Sequence, residues 1–264
     1  MGAVRAEQIK LTSTRAPWWC TATVVVLGLG IAALIAVVTR GVGAGPDQPS
    51  DVGADASSVD QTGAASVYLI GVNFFGVVIL MIMAVLGVTT EFRYGTIRTS
   101  FLGIPRRWNV LCAKALVYVA LTFVIVLPLT LCSVLVVIAL SDGSSGLDLG
   151  SEHVIRQIWG TAVWASLCVV VGIGVGAIVR QTAGAVSVVL VWMLVIENVA
   201  AALPVVGRRI GPFLPFRNGS RFLDGDFPGD GYHWNSWVSL VYFAVFAAIV
   251  FAIGLLVVNG RDAG

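Results

Sequence analysis

The sequence predicts an all-α polytopic membrane protein: six transmembrane helices, with a short cytoplasmic amphipathic helix between the second and third. Three observations predict it. Hydrophobic residues make up 58% of the 264, charged residues only 11%, and mean hydropathy is +0.93, whereas a soluble domain carries about 25% charge. Six apolar runs approach or exceed the roughly 20 residues that cross a bilayer. The basic residues also segregate between alternate connections, as they do where membrane insertion sets orientation.

Residues 1–16 are polar, with Glu7, Lys10 and Arg15, and read as a cytoplasmic approach helix. The run 17–39 exceeds a 7–15-residue signal core and lacks an A-x-A site, so it is expected to be the first span. The others fall at about 66–88, 112–140, 157–179, 184–203 and 236–258, within one transmembrane domain over 17–264. The third contains Pro128, where a kink is expected. Gly-, Ser- and Asp-rich segments join spans one to two and three to four, and read as aqueous loops. Trp18, Trp19, Trp108, Trp159, Tyr232, Trp234 and Trp237 mark span edges, where amphipathic rings favour the headgroup region.

Of the sixteen basic residues, ten fall on the side of the N-terminus, leaving Arg40, Arg156, Arg208, Arg209, Arg217 and Arg221 opposite. The chain is therefore expected in the cell (inner or plasma) membrane with both termini cytoplasmic. The connection 204–237 is the longest outer one; its IGPFLPF piece reads as dipping back toward the membrane. It also holds the triplet Asn218-Gly219-Ser220, a chance match to a glycosylation sequon. Gly172 and Gly176 in span four form a GxxxG that permits close helix contact.

The polar island 91–114 lies between two apolar runs and holds Arg93, Arg98, Arg106, Arg107 and Lys114 against the single acid Glu91. On a helix over 91–102, Tyr94, Ile97 and Phe101 make one apolar stripe. Glu91 at its start suits the partial positive charge there, and Gly103 and Pro105 end it. Arg106, Arg107 and Lys114 then read as basic residues of the membrane interface, and Arg98, Arg106 and Arg107 as alternative holders of lipid phosphates, each worth about 1 kcal/mol near an anionic surface.

The order Glu91, Gly95, Thr96, Pro105, Arg106, Arg107, Lys114 resembles the first cytoplasmic loop of ABC-2 type ABC transporter permeases. The approach stretch, with Glu7, Lys10 and Arg15, resembles the same family. The resemblance implies a coupling helix that docks in a groove of an ATPase through Glu91, Tyr94, Gly95, Thr96, Arg98 and Phe101. It implies a permease subunit, an exporter, whose partners are ABC ATPase subunits, a second permease copy or related permease and the lipid bilayer, with no nucleic acid. Neither Lys10 nor Lys114 follows a glycine, so no GxxxxGK[ST] phosphate loop exists in this chain. No cofactor is expected here; ATP and magnesium belong to the partner, and this chain is not itself an enzyme.

Asn73 and Glu197 both fall about 9–10 Å below the outer edge by helical rise. With Asn198 they are expected to line the outer end of a pathway, the alternative for Asn73 being a helix–helix hydrogen bond. Other classes fit less well. A stand-alone ion-coupled carrier calls for several intramembrane ionisable residues, and only Glu197 qualifies. A membrane-embedded enzyme calls for a converging catalytic cluster, and a scaffold that transports nothing makes no demand on the motif. Cys20, Cys112, Cys132 and Cys168 lie in or beside apolar runs without a CxxC and read as small hydrophobes. His153 and His233 belong to different loops and read as solvated.

Overall fold

The structure, a computed structural model, describes residues 2–43, 61–94, 107–141, 145, 147–203, 207, 209–226 and 232–260. Among these there is no strand. Six helices are long and apolar enough to cross a membrane: Arg15–Arg40, Gly71–Arg93, Trp108–Leu140, Glu152–Val179, Thr182–Ala202 and Ser236–Gly260. They are those of a multi-pass membrane protein. Two shorter helices stand at opposite ends of the bundle, the approach helix Gly2–Ser13 and a return helix Pro215–Asp224 between spans five and six.

Span four is the axis of the bundle. It packs against spans two, three and six, and 67% of its most apolar window is buried, against 22% for spans one, five and six. The reason lies in its glycines, where helix backbones approach closely. A Cβ on Gly172 would meet the Met81 carbonyl oxygen at 2.9 Å, and one on Gly176 would meet that of Val85 at 3.3 Å, both on span two. Gly174 faces the other way, against the Val250 backbone of span six, whose Gly254 answers it. The GxxxG thus joins span two, and Gly174 between its glycines joins span six.

Span two differs from its expected bounds of 66–88. A helix Gln61–Tyr68 leads into a π-helical turn, Gly71–Gly76, and then the α-helix Val77–Arg93. The extension past Val88 is stabilised because the polar residues there find partners. The Thr89 hydroxyl accepts from Thr182, and Glu91 is ion-paired. Gly71 lets span one pass closely, since a Cβ there would meet the Leu27 carbonyl oxygen at 2.7 Å. Span three is helical through Pro128. Span four ends at Arg180, whose left-handed backbone (φ 59°) is uncommon for a side-chain-bearing residue. Its guanidinium donates to the Val257 carbonyl and covers the Phe92 ring, which fixes the turn into span five.

Candidate functional site

At the end of the bundle where the chain starts, four charged side chains converge. Lys114, in the second turn of span three, donates to Glu7 Oε2 at 2.7 Å and to Glu91 Oε1 at 3.0 Å. Lys10 bridges the same two acids from outside, at 2.9 Å to each. The Lys114 ammonium also lies 5.8 Å from the Tyr118 ring centroid, within cation–π range. The lysine and Glu7 side chains are only 4% and 5% exposed, so an unpaired charge at either would be costly. Burial disfavours the Glu7 charge, but the pull of Lys114 and its hydrogen bonds outweigh it, holding the carboxyl below its ordinary value. Lys10 is half-exposed; burial lowers its pKa and the bonds to Glu7 and Glu91 raise it, with a net rise.

Two expectations change here. Glu91 lies in the last turn of span two, not at the start of a separate helix, because the apolar stripe Val85–Val88–Phe92 carries the helix on. Its charge answers two lysines rather than a helix N-terminus. Lys114 is not a membrane-interface cation; it is buried between two carboxylates. Tyr94 ends the helix and is 72% exposed. Gly95, Thr96, Arg98, Phe101 and Arg106 lie outside the described residues, and Arg107 opens the helix of span three.

The opposite end is built around Glu197. The return helix starts at Pro215, favoured at a first helical position because its missing N–H needs no acceptor. Leu214 before it has no capping side chain. Glu197, from span five, takes that part: its Oε1 accepts from the Phe216 N–H at 3.0 Å and its Oε2 from the Arg217 N–H at 2.7 Å. The Asn218 N–H already reaches the Leu214 carbonyl, so the first turn is satisfied. Trp192 adds a third donor to Glu197, across five residues. That spacing follows from the π-helical turn Val191–Ile196, whose hydrogen bonds run i to i+5. The same widening leaves the Met193 and Leu194 carbonyls to the Asn198 amide.

The return helix then tucks under the bundle. Gln157 donates to Ser66 and to the Leu223 carbonyl, and Ser66 donates to Asp224. Burial pushes the Asp224 carboxyl above its ordinary value, with Ser66 and Arg156 pulling the other way. Arg221 pairs with Asp226 and Ser239 and lies 4.0 Å from the Tyr232 ring centroid. Gly225 closes the helix with φ 91°, a conformation glycine adopts at no steric cost. Asn218 is fully buried with its amide on the Pro212 and Leu214 carbonyls, so the sequon is a packing residue.

Asn73 accepts from the Thr161 hydroxyl at 2.9 Å, the helix–helix bond considered from sequence. Asn73, Glu197 and Asn198 nevertheless line one cavity of about 450 Å³, between spans two, four and five and the return helix. Both π turns contribute to its wall, through Asn73 and Phe74 on one side and Met193 and Leu194 on the other. Gln157, Asp224 and Arg221 were missed from sequence. The one signal available was the Pro215…Gly225 frame, a helix start and stop inside the connection between spans five and six.

No protein-family model matches the chain, and no curated protein is similar to it.

Proposed function

We propose that this chain is the membrane-spanning subunit of an ABC-2 type exporter, driven by ATP hydrolysis on a separate ATPase chain. One observation carries the reading. The two stretches that separately resemble that family, the approach helix and the polar island, are tied by a single buried ion-pair cluster, Glu7, Lys10, Glu91 and Lys114. In this reading the cluster lies at the cytoplasmic face and the segment that follows span two, from Tyr94 on, occupies a groove of the ATPase. A displacement of that segment reaches the approach helix and spans two and three together, because their ends share one lysine. Two copies, or this chain and a related permease, complete the pathway.

The test is purification of the tagged chain from its own membrane in mild detergent, with mass spectrometry and an ATP hydrolysis assay. An ABC ATPase in stoichiometric amount is expected, and Gly95→Trp should abolish its retention while leaving membrane insertion intact. Equal ATPase content and hydrolysis in wild type and variant would remove the coupling role from this segment.

A further inference from the structure

The cavity between the return helix and spans two, four and five has an uneven polar inventory. Its acids are engaged: the Glu197 carboxylate takes three N–H donors and is 4% exposed, and Asp224 takes the Ser66 hydroxyl with Arg156 nearby. Arg221 is engaged too, by Asp226 and Ser239. What is left over is mainly donors. The Arg217 guanidinium is exposed and makes no ion pair among the described residues, feeling only the partial pull of Glu197. Asn73 spends its oxygen on Thr161, which leaves its amide N–H₂. The indole N–H of Trp164, a residue 4% exposed, lies against Gly219 with no acceptor among the described residues. Each of these residues lines the cavity. The Asn198 oxygen and the Ser220 and Tyr232 hydroxyls are set beside them.

The apolar part of the wall is Phe74, Met193, Leu194, Ala201 and Phe216, while Ser220 and Tyr232 add hydroxyls to the polar part. Asn73 and Asn198 lie within about one helical turn of the span ends Gly71 and Ala202. The polar and apolar parts of the wall therefore meet at the depth where a bilayer changes from head group to hydrocarbon. A cavity of this volume is of the size that holds a small ligand.

We infer that this cavity binds the anionic head of an amphiphile, a phosphodiester or carboxylate held by Arg217 and the Asn73 amide, with its apolar body against Phe74, Met193, Leu194 and Phe216. A planar guanidinium suits such a group because its N–H donors match two oxygens at once. Cationic amphiphiles are the wrong partner, since both carboxylates are already compensated and Arg217 is not. The inference stands on the cavity alone and does not depend on the proposed ATPase.

The experiment is native mass spectrometry on the purified full chain, titrated separately with phosphatidylglycerol, a diacylglycerol of the same acyl chains, dodecyltrimethylammonium and inorganic phosphate. One phosphatidylglycerol per chain is expected, about tenfold tighter than the diacylglycerol, which lacks the phosphodiester; that factor is the worth of a charge-assisted hydrogen bond. Arg217→Gln should bring the two lipids level with little change in the unfolding midpoint, because the hydrogen bond to Glu197 comes from the Arg217 main chain and the exposed guanidinium adds only a partial pull. Ala201→Phe, which fills the cavity and removes no polar group, should abolish the bound lipid. Unchanged phosphatidylglycerol binding in both variants, or tighter binding of the cationic amphiphile, would overturn the inference. Inorganic phosphate competing as well as the lipid would overturn the amphiphile and leave a site for a soluble anion.

Discussion

The two ends of the bundle solve one problem in two ways. Each buries carboxylates where water is scarce, and each satisfies them. At the end with the approach helix, Glu7 and Glu91 share Lys114, so the neutralising partner is itself a buried charge. At the opposite end, Glu197 is met by the Phe216 and Arg217 N–H groups and the Trp192 indole. The first device ties three segments through one side chain. The second pins a short helix by its N-terminus to a span some twenty residues earlier, where the orphan N–H groups and the helix dipole both favour an anion. Removing Lys114 takes the one buried cation from both acids at once and leaves them to the half-exposed Lys10. A backbone cap fails by degrees, because each N–H is a separate bond.

The largest effect should come from Lys114→Met. It leaves the Glu7 and Glu91 carboxylates with only the half-exposed Lys10 between them, and removing one partner of a buried pair typically costs up to about 3–5 kcal/mol. Thermal unfolding in detergent should show that loss, with much of it recovered by adding Glu7→Gln. A Lys114→Met variant as stable as wild type would mean the cluster is wet and weak. Next comes Glu197. Substitution by Leu leaves the return helix without its cap and should cost roughly 2–4 kcal/mol, whereas Gln keeps one acceptor and should cost about half as much. Equal losses from Leu and Gln would show that charge, not hydrogen-bond count, holds that end.

The smallest effect is a pH dependence that separates the two devices. The Glu7 carboxyl is held below its ordinary value of 4.5 in the folded chain. Its contribution is therefore fully present above that value, and is lost as pH falls through the lower folded value. Lys10, raised above its ordinary 10.5, contributes below that value and loses its contribution as pH rises through the folded one. The unfolding midpoint of wild type should fall as pH drops below the ordinary value of 4.5, and Glu7→Gln should flatten that slope. Identical acid slopes in the two proteins would show that Glu7 is not the group responsible.

Much of the fold was legible in the chain because its signals are local. A run such as Val241–Ile253 has only one stable form in lipid, a helix that closes its own hydrogen bonds. The choice of Gly172 and Gly176 as a close-packing pair was also visible, as spacing, though not the neighbour it serves. The site was less legible. Asn73, Glu197 and Asn198 were grouped by depth alone, and depth follows from 1.5 Å per residue; they do line one cavity. What depth could not assign was direction. Whether Glu197 faces a pathway or caps a helix depends on where residues 215–217 come to rest.

By itself, then, the sequence determined that the chain is helical and has six segments long and apolar enough to cross a bilayer. Those properties depend on length, polarity and spacing within single segments. Only the tertiary structure decided that Glu91 closes span two rather than opening a helix, and that Lys114 is buried between acids from two other segments. It alone turned Pro215–Asp224 into a return helix capped by Glu197. Each of these is a meeting of residues far apart in sequence, such as Glu7 with Lys114 or Ser66 with Asp224. A buried charge takes its role from the partner that neutralises it, and that partner is chosen by packing.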